Sequence, residues 1–245
     1  MNKFISFFSI LFILHVISCE NAPMDLFVEQ GEKTMVSRSL PFFDIIEIED
    51  VFDVYLVNDS VFKVEIMTGE NIIPEISTEV KDSILFIRND IGARWSREYI
   101  KPVLYIYFPG LRRLYLQEPS NLYTLDTLRC ENLIVYALAD LQLVDITVKT
   151  WNFQLRSSHT ASGVYTIKGW TWNSYLSAYG GCTVNAGELE TRYTHFVNHS
   201  IGDFTVNVVK SLEGEIFNTG NVFYTGSPEN LDIESYSSGR AIKLK

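Results

Sequence analysis

From Leu111 to the C-terminus, apolar and polar positions alternate in short patches that return about every 20 residues. Leu114-Tyr115-Leu116, Leu133-Ile134-Val135 and Phe153-Gln154-Leu155 form one series. Ile146-Thr147-Val148, Val164 to Ile167, Thr183 to Ala186, Phe204-Thr205-Val206 and Val222-Phe223-Tyr224 form a second series, interleaved with the first. Trp151, Trp172 and Tyr193 lie 21 residues apart, as do Leu155, Leu176 and Val197, and Gln154, Tyr175 and Phe196. Ser158-His159, Gly180-Gly181, Gly202, Gly220 and Gly239 punctuate the units. Two short strands and two tight turns per unit predict an all-β solenoid, a single-stranded parallel β-helix in which each coil buries its apolar face on the next. A β-sandwich has a similar strand spacing, but it does not account for the same residue types returning at 21. In the β-helix Leu155, Leu176 and Val197 make one inward column. Gln154, Tyr175 and Phe196 alternate outward as a candidate ladder for a ligand or partner. The junction glycines allow the positive φ angles of a sharp corner.

Upstream, residues 38–110 read as strands without the short repeat. Ile46, Ile48, Val51, Val54 and Leu56 mark alternating stretches, and Phe62 to Ile66 is a half-buried strand. Ile72 to Ile76 carries the one hint of a helical turn. Glu79-Val80 and Ile84 to Arg88, separated by Asp82-Ser83, predict a hairpin. Asn89 to Lys101 is polar and predicts the longest loop.

The first residues have a different character. Lys3 precedes an apolar run from Phe4 to Val16 that is too short to span a bilayer and reads as a signal peptide. Val16-Ile17-Ser18-Cys19 resembles the lipobox of bacterial lipoproteins, which implies cleavage before Cys19 and lipidation on it. Residues 1–18 are thus expected to be removed, 19–37 to form a tether, and 38–245 to fold. Several acyl chains on one cysteine would hold the protein firmly at a membrane.

The apolar share, 47%, suits a packed core. The net charge of −10 disfavours nucleic acid and anionic lipid as partners. Cys130 and Cys182 lie about two and a half coils apart, beyond disulfide reach at ~4.8 Å per coil, and are expected to be buried thiols. Catalysis on a β-helix needs carboxylates gathered in one column, or acidic clusters for calcium beside a base. Acids such as Asp126, Asp145, Glu188 and Asp203 do not line up in that way. His195 and His199 sit i, i+4 in a strand rather than a helix, so no zinc pair is expected; His159 with His199 is the remaining metal candidate. No catalytic residue and no cofactor is expected.

A family resemblance is carried by the C-terminal repeat. Asn218 to Glu229, with Tyr224, Gly226 and Pro228 in order and spacing, resembles the closing repeat of the putative auto-transporter adhesin head GIN domain family. Phe43, Ile46, Val54, Leu56, Val64, Ile66, Glu70-Asn71, Leu85 and Ile87 are similar to that family's N-terminal half. The resemblance spans about 38–244 and implies an extracytoplasmic right-handed β-helix, lipid-anchored or secreted, with no catalytic residues. The chain departs from the family's Gly-Ser-Gly corners at Ser157-Ser158-His159, Tyr179-Gly180-Gly181 and Ser200-Ile201-Gly202. The expected function is a lipid-anchored binding or structural module of the cell envelope, at the outer membrane, whose partner is a glycan or an envelope protein. The alternative is a β-helix enzyme acting on polysaccharides.

Overall fold

The computed structural model describes residues 30–90 and 101–245. In chain order, the N-terminal half supplies β1 (Lys33–Ser39), β2 (Ile45–Ile48), β3 (Asp53–Asn58), β4 (Lys63–Gly69), a single 3-10 turn at Ile73–Glu75, β5 (Ile76–Lys81), β6 (Ile84–Asn89) and β7 (Val103–Phe108). The regular part follows with β8 (Arg113–Leu116), β9 (Asn121–Thr124), β10 (Leu128–Arg129), β11 (Asn132–Ala137) and β12 (Gln142–Ser157). It ends with β13 (Ser162–Ser200), β14 (Phe204–Ile216), β15 (Val222–Gly226), β16 (Asn230–Ser235) and β17 (Ala241–Lys243). The chain is a β-solenoid of about six turns. The long strands β12, β13 and β14 run around corners, so each contributes to more than one face.

One face stacks β2, β8, β11 and the second half of β12 in parallel register, then continues through β13, β14 and β16. The other stacks β3, β9, the first half of β12, β13, β14, β15 and β17. Alternation puts every second side chain inside. Leu114, Val135 and Leu155 lie side by side and fully buried, with Leu176 next.

The N-terminal end is not stacked in chain order. β2 pairs in parallel with both β6 and β8, and β3 with both β7 and β9. The first coil of the chain is therefore held between the second and the third. Beyond it the sheet turns antiparallel: β5 closes on β6, β4 on β7, and β1 on β4. The expected hairpin is there, with Asp82 and Ser83 at φ 50° and 64°. Arg38 ties this cap together, donating to the carbonyls of Ile73 and Ile76 and to Thr78. Because β1 begins at Lys33, the chain is already folded within the last residues expected for the tether. The loop expected at 89–101 lies almost wholly outside the described residues.

Two expectations about the coils need correction. Among the junction glycines, only Gly180 has positive φ, 61°. Gly202 and Gly220 are needed for another reason: a Cβ there would sit 2.2 Å and 2.0 Å from a carbonyl oxygen of the coil below.

The second correction concerns the column through Val197. Thr150 and Thr171, 21 apart, hydrogen-bond inside the solenoid, and Trp172 touches Tyr193, also 21 apart. One step later Ser174 bonds Thr194, only 20 apart. Arg192 and Tyr193 stand between the buried Thr191 and Thr194 as Trp172 and Asn173 stand between the buried Thr171 and Ser174, so this coil is already one residue short before Thr191. A one-residue slip exchanges the two faces. Phe196, expected outside, is fully buried beneath Leu176's column, and Val197 faces outward instead. The ring fills space freed by Gly214, whose Cβ would lie 2.8 Å from it.

Candidate binding site at the tryptophan corner

The expected ladder of Gln154, Tyr175 and Phe196 is realised only in its first two members. Gln154 and Tyr175 are in register, and the slip puts His195 in the third place, its ring 5.5 Å from Tyr175 and nearly parallel to it. Arg156 donates to Gln154 Oε1 and lies 4.8 Å above the Tyr175 ring. His195 Nε2 faces Glu215 at 3.7 Å. These groups partner one another on a flat sheet.

A longer stack runs along the next corner, through His159, Tyr179, His199, Phe217 and Tyr236. His159 meets Tyr179 edge to face at 4.1 Å, and from Tyr179 to Tyr236 the rings are nearly parallel at 4.3–4.9 Å, so the inner rings cover one another's faces. The inner rings thus offer a ligand only their edges, and sugars pack on faces. Tyr179 lies between His159 and His199, which separates the pair considered for a metal. Among the described residues no group of histidine, cysteine and carboxylate side chains is placed to hold a metal ion. The acids align more than expected: Glu213 is beside Asp232 and Glu215 beside Glu234. Their hydrogen bonds come from Ser211, Asn230 and Tyr236.

The concave feature lies at a different corner. Three of the chain's 4 tryptophans, Trp151, Trp170 and Trp172, meet there at centroid distances of 5.5–6.3 Å, tilted or edge to face. The fourth, Trp95, is outside the described residues. Because the rings are not stacked in parallel, their faces are not all used internally. Trp151 is 55% exposed, while Trp172 carries the Arg192 guanidinium at 4.4 Å.

The strand register explains the geometry. Arg129, Lys149 and Trp170 form one outward column, and Glu131 lies beside Trp151 in the next, where the Trp151 and Asn152 amides both donate to the Glu131 carbonyl. Between the columns the inward Cys130 and Thr150 make a floor. The result is a cavity of about 630 Å³ lined by Arg129, Cys130, Glu131, Lys149, Thr150, Trp151 and Trp170, within the usual size range of small-molecule sites. A second cavity, about 260 Å³, adjoins it across Asn132 and Asn152 and includes Arg112, Arg113, Ile134 and Gln154. Asn132, Asn152 and Asn173 form a hydrogen-bonded chain along the boundary, at 2.6 and 2.8 Å.

Cys130 is a free thiol, as is the buried Cys182. Burial raises the Cys130 pKa to about 11, against a weaker opposing hydrogen bond from Leu111. It is therefore a neutral floor group at physiological pH, neither nucleophile nor thiolate ligand. The sequence held a signal for this site in Trp170-Thr171-Trp172: with Thr171 inward, both tryptophans must point out.

Residues 42–228 match the family described as putative auto-transporter adhesin, head GIN domain. The chain belongs to this family. None of the curated proteins matches the chain. Among solved structures, a putative adhesin from Bacteroides fragilis is similar at 20% identity and a TM-score of 0.79, covering 87% of this chain and 97% of that one. A putative adhesin from Parabacteroides distasonis is similar at 21% identity and a TM-score of 0.71, covering 87% and 98%. A protein of the same organism called a putative lipid binding protein gives 15% identity and 0.65, covering 88% and 98%. At these identities the likeness speaks for the fold.

Proposed function

We propose that the protein is a non-catalytic binding module of the cell envelope, anchored through lipid on Cys19, that holds a glycan at the tryptophan corner. The observation that carries this reading is the exposed Trp151, edge to face against the half-buried Trp170, over a cavity of about 630 Å³. Aromatic faces with polar groups around them suit the apolar faces and hydroxyls of sugar rings. Family membership supports a role at the cell surface or envelope. Among the described residues no helix is long and apolar enough to cross a membrane; the lipobox lies outside them, and membrane attachment in this reading is lipidic. Nucleic acid is not a partner in this reading, given the net charge of −10.

The test is binding of the purified mature domain to immobilised polysaccharides, with wild type beside Trp151→Ala. Retention that falls at least about tenfold in the variant, equivalent to about 1.4 kcal/mol, is expected. Retention equal in both would remove the corner from consideration. Depolymerisation of any retained polysaccharide would overturn the non-catalytic reading.

A further inference from the structure

Charge at this corner runs against the rest of the molecule. The chain carries 30 acids and 20 bases, yet Arg129 and Lys149 are in-register neighbours on adjacent strands, ~4.8 Å apart along the stack. Like charges directly opposite one another are unfavourable. Both side chains are exposed, and among the described residues neither has a carboxylate or hydrogen-bonding partner. They line the large cavity with Glu131 as its one carboxylate.

The adjoining cavity repeats the imbalance. Arg112 is paired with Asp44 at 2.9 Å, but Arg113 is not paired. It is half-buried, and its Nε is enclosed with no hydrogen-bond acceptor. The charge of a guanidinium is delocalised, so an anion on its cavity side would offset the enclosed Nε as well. Three unpaired cations thus flank the tryptophans, while Asn132, Asn152 and Gln154 supply neutral amides between them.

We infer that the glycan held at this corner is acidic, a chain of uronic-acid type whose carboxylates lie on Arg129 and Lys149 and on Arg113, with a ring face against Trp151 and Trp170. This rests on the corner being the glycan site. A uronic acid presents what the corner offers to receive: a planar carboxylate for an arginine fork, an apolar ring face for indole, and hydroxyls for amides. A densely charged polyanion such as nucleic acid fits less well, since the surrounding acidic surface opposes it.

The test uses the mature protein and oligosaccharides of galacturonate, mannuronate and glucuronate type, each beside its neutral methyl ester, in a calorimetric titration. For at least one type, the acid is expected to bind about tenfold or more tightly than its ester, with the preference shrinking as salt is added. Lys149→Gln and Arg113→Gln should each remove most of that preference by weakening the acid more than the ester, while Trp151→Ala should weaken both forms and keep the preference. Equal affinity for acid and ester in every pair would overturn the acidic preference and leave the glycan site standing. Binding of neither form in any pair would overturn both. Binding to vesicles of anionic lipid at the same residues, in place of the sugars, would also overturn the inference.

Discussion

At the scale of single residues, the coils are held by backbone approach as much as by side-chain packing. Gly220 shows this most directly: its Cβ position is 2.0 Å from the Gly202 oxygen, so any side chain forces adjacent coils apart. Gly220→Ala is expected to lower stability by about 1–3 kcal/mol or more in denaturant unfolding; an unchanged midpoint would show that the corner relaxes freely. Ser120 is a second such point. It is fully buried, donates to the Asp50 carbonyl at 2.7 Å and accepts from the Phe52 amide at 3.0 Å. His199 adds a pH dependence. Burial first, and then the nearby His159, lowers its pKa below the ordinary 6.5, with Glu215 opposing. The unfolded chain therefore binds its proton more readily than the folded one. The stabilisation is present above about pH 6.5 and is lost as pH falls through the lower folded value. Relative to wild type, His199→Phe should lose less melting temperature between about pH 7.5 and 5; identical losses would contradict the role given to the stack.

At the scale of elements, the 20-residue period was legible because it is written in local alternation. The faces of β12 followed from it correctly through Gln154 and Leu155. The face of the Tyr193 coil did not, since this coil is one residue short before Thr191, so that Arg192 and Tyr193 take the places of Trp172 and Asn173 and the 21-residue register assigns every later position to the wrong face. Residue types alone could not show it: Phe196 and Val197 are both apolar, and either could have been inside. Phe196→Ala should cost about 3–5 kcal/mol, and Val197→Ala within about 0.5 kcal/mol of nothing, by urea unfolding. The reverse order would restore the uninterrupted 21-residue register. The tryptophan corner was half legible. Trp151, Trp172 and Tyr193 were visible as a column, but its cavity depends on Arg129, Lys149 and Trp170 in the neighbouring column, which only the strand register brings alongside.

At the scale of the whole molecule, the two ends of the solenoid differ. The N-terminal end is closed by antiparallel β1, β4 and β5, a non-sequential arrangement that no short-range pattern encodes, because β2 must leave room for both β6 and β8. At the other end, the inward positions Leu231 and Ile233 of β16 lack a coil beyond them among the described residues, and Leu231 is 50% exposed. Amide exchange should accordingly be fastest in β16 and β17 and slowest in the middle coils of β12 and β13; uniform protection would mean that the last coil is covered in solution. Attachment to the membrane has its own check. Cys19→Ser should abolish incorporation of labelled fatty acid and release the protein to the soluble fraction, and labelling that persists would contradict lipidation at that residue.

The binding corner is most directly tested by tryptophan fluorescence during titration with a retained oligosaccharide, comparing Trp151→Ala with Tyr175→Ala. Loss of saturable binding in Trp151→Ala and wild-type affinity in Tyr175→Ala is the expected result. Wild-type affinity in Trp151→Ala, with loss in Tyr175→Ala, would place the ligand on the flat aromatic face and contradict the corner as the site.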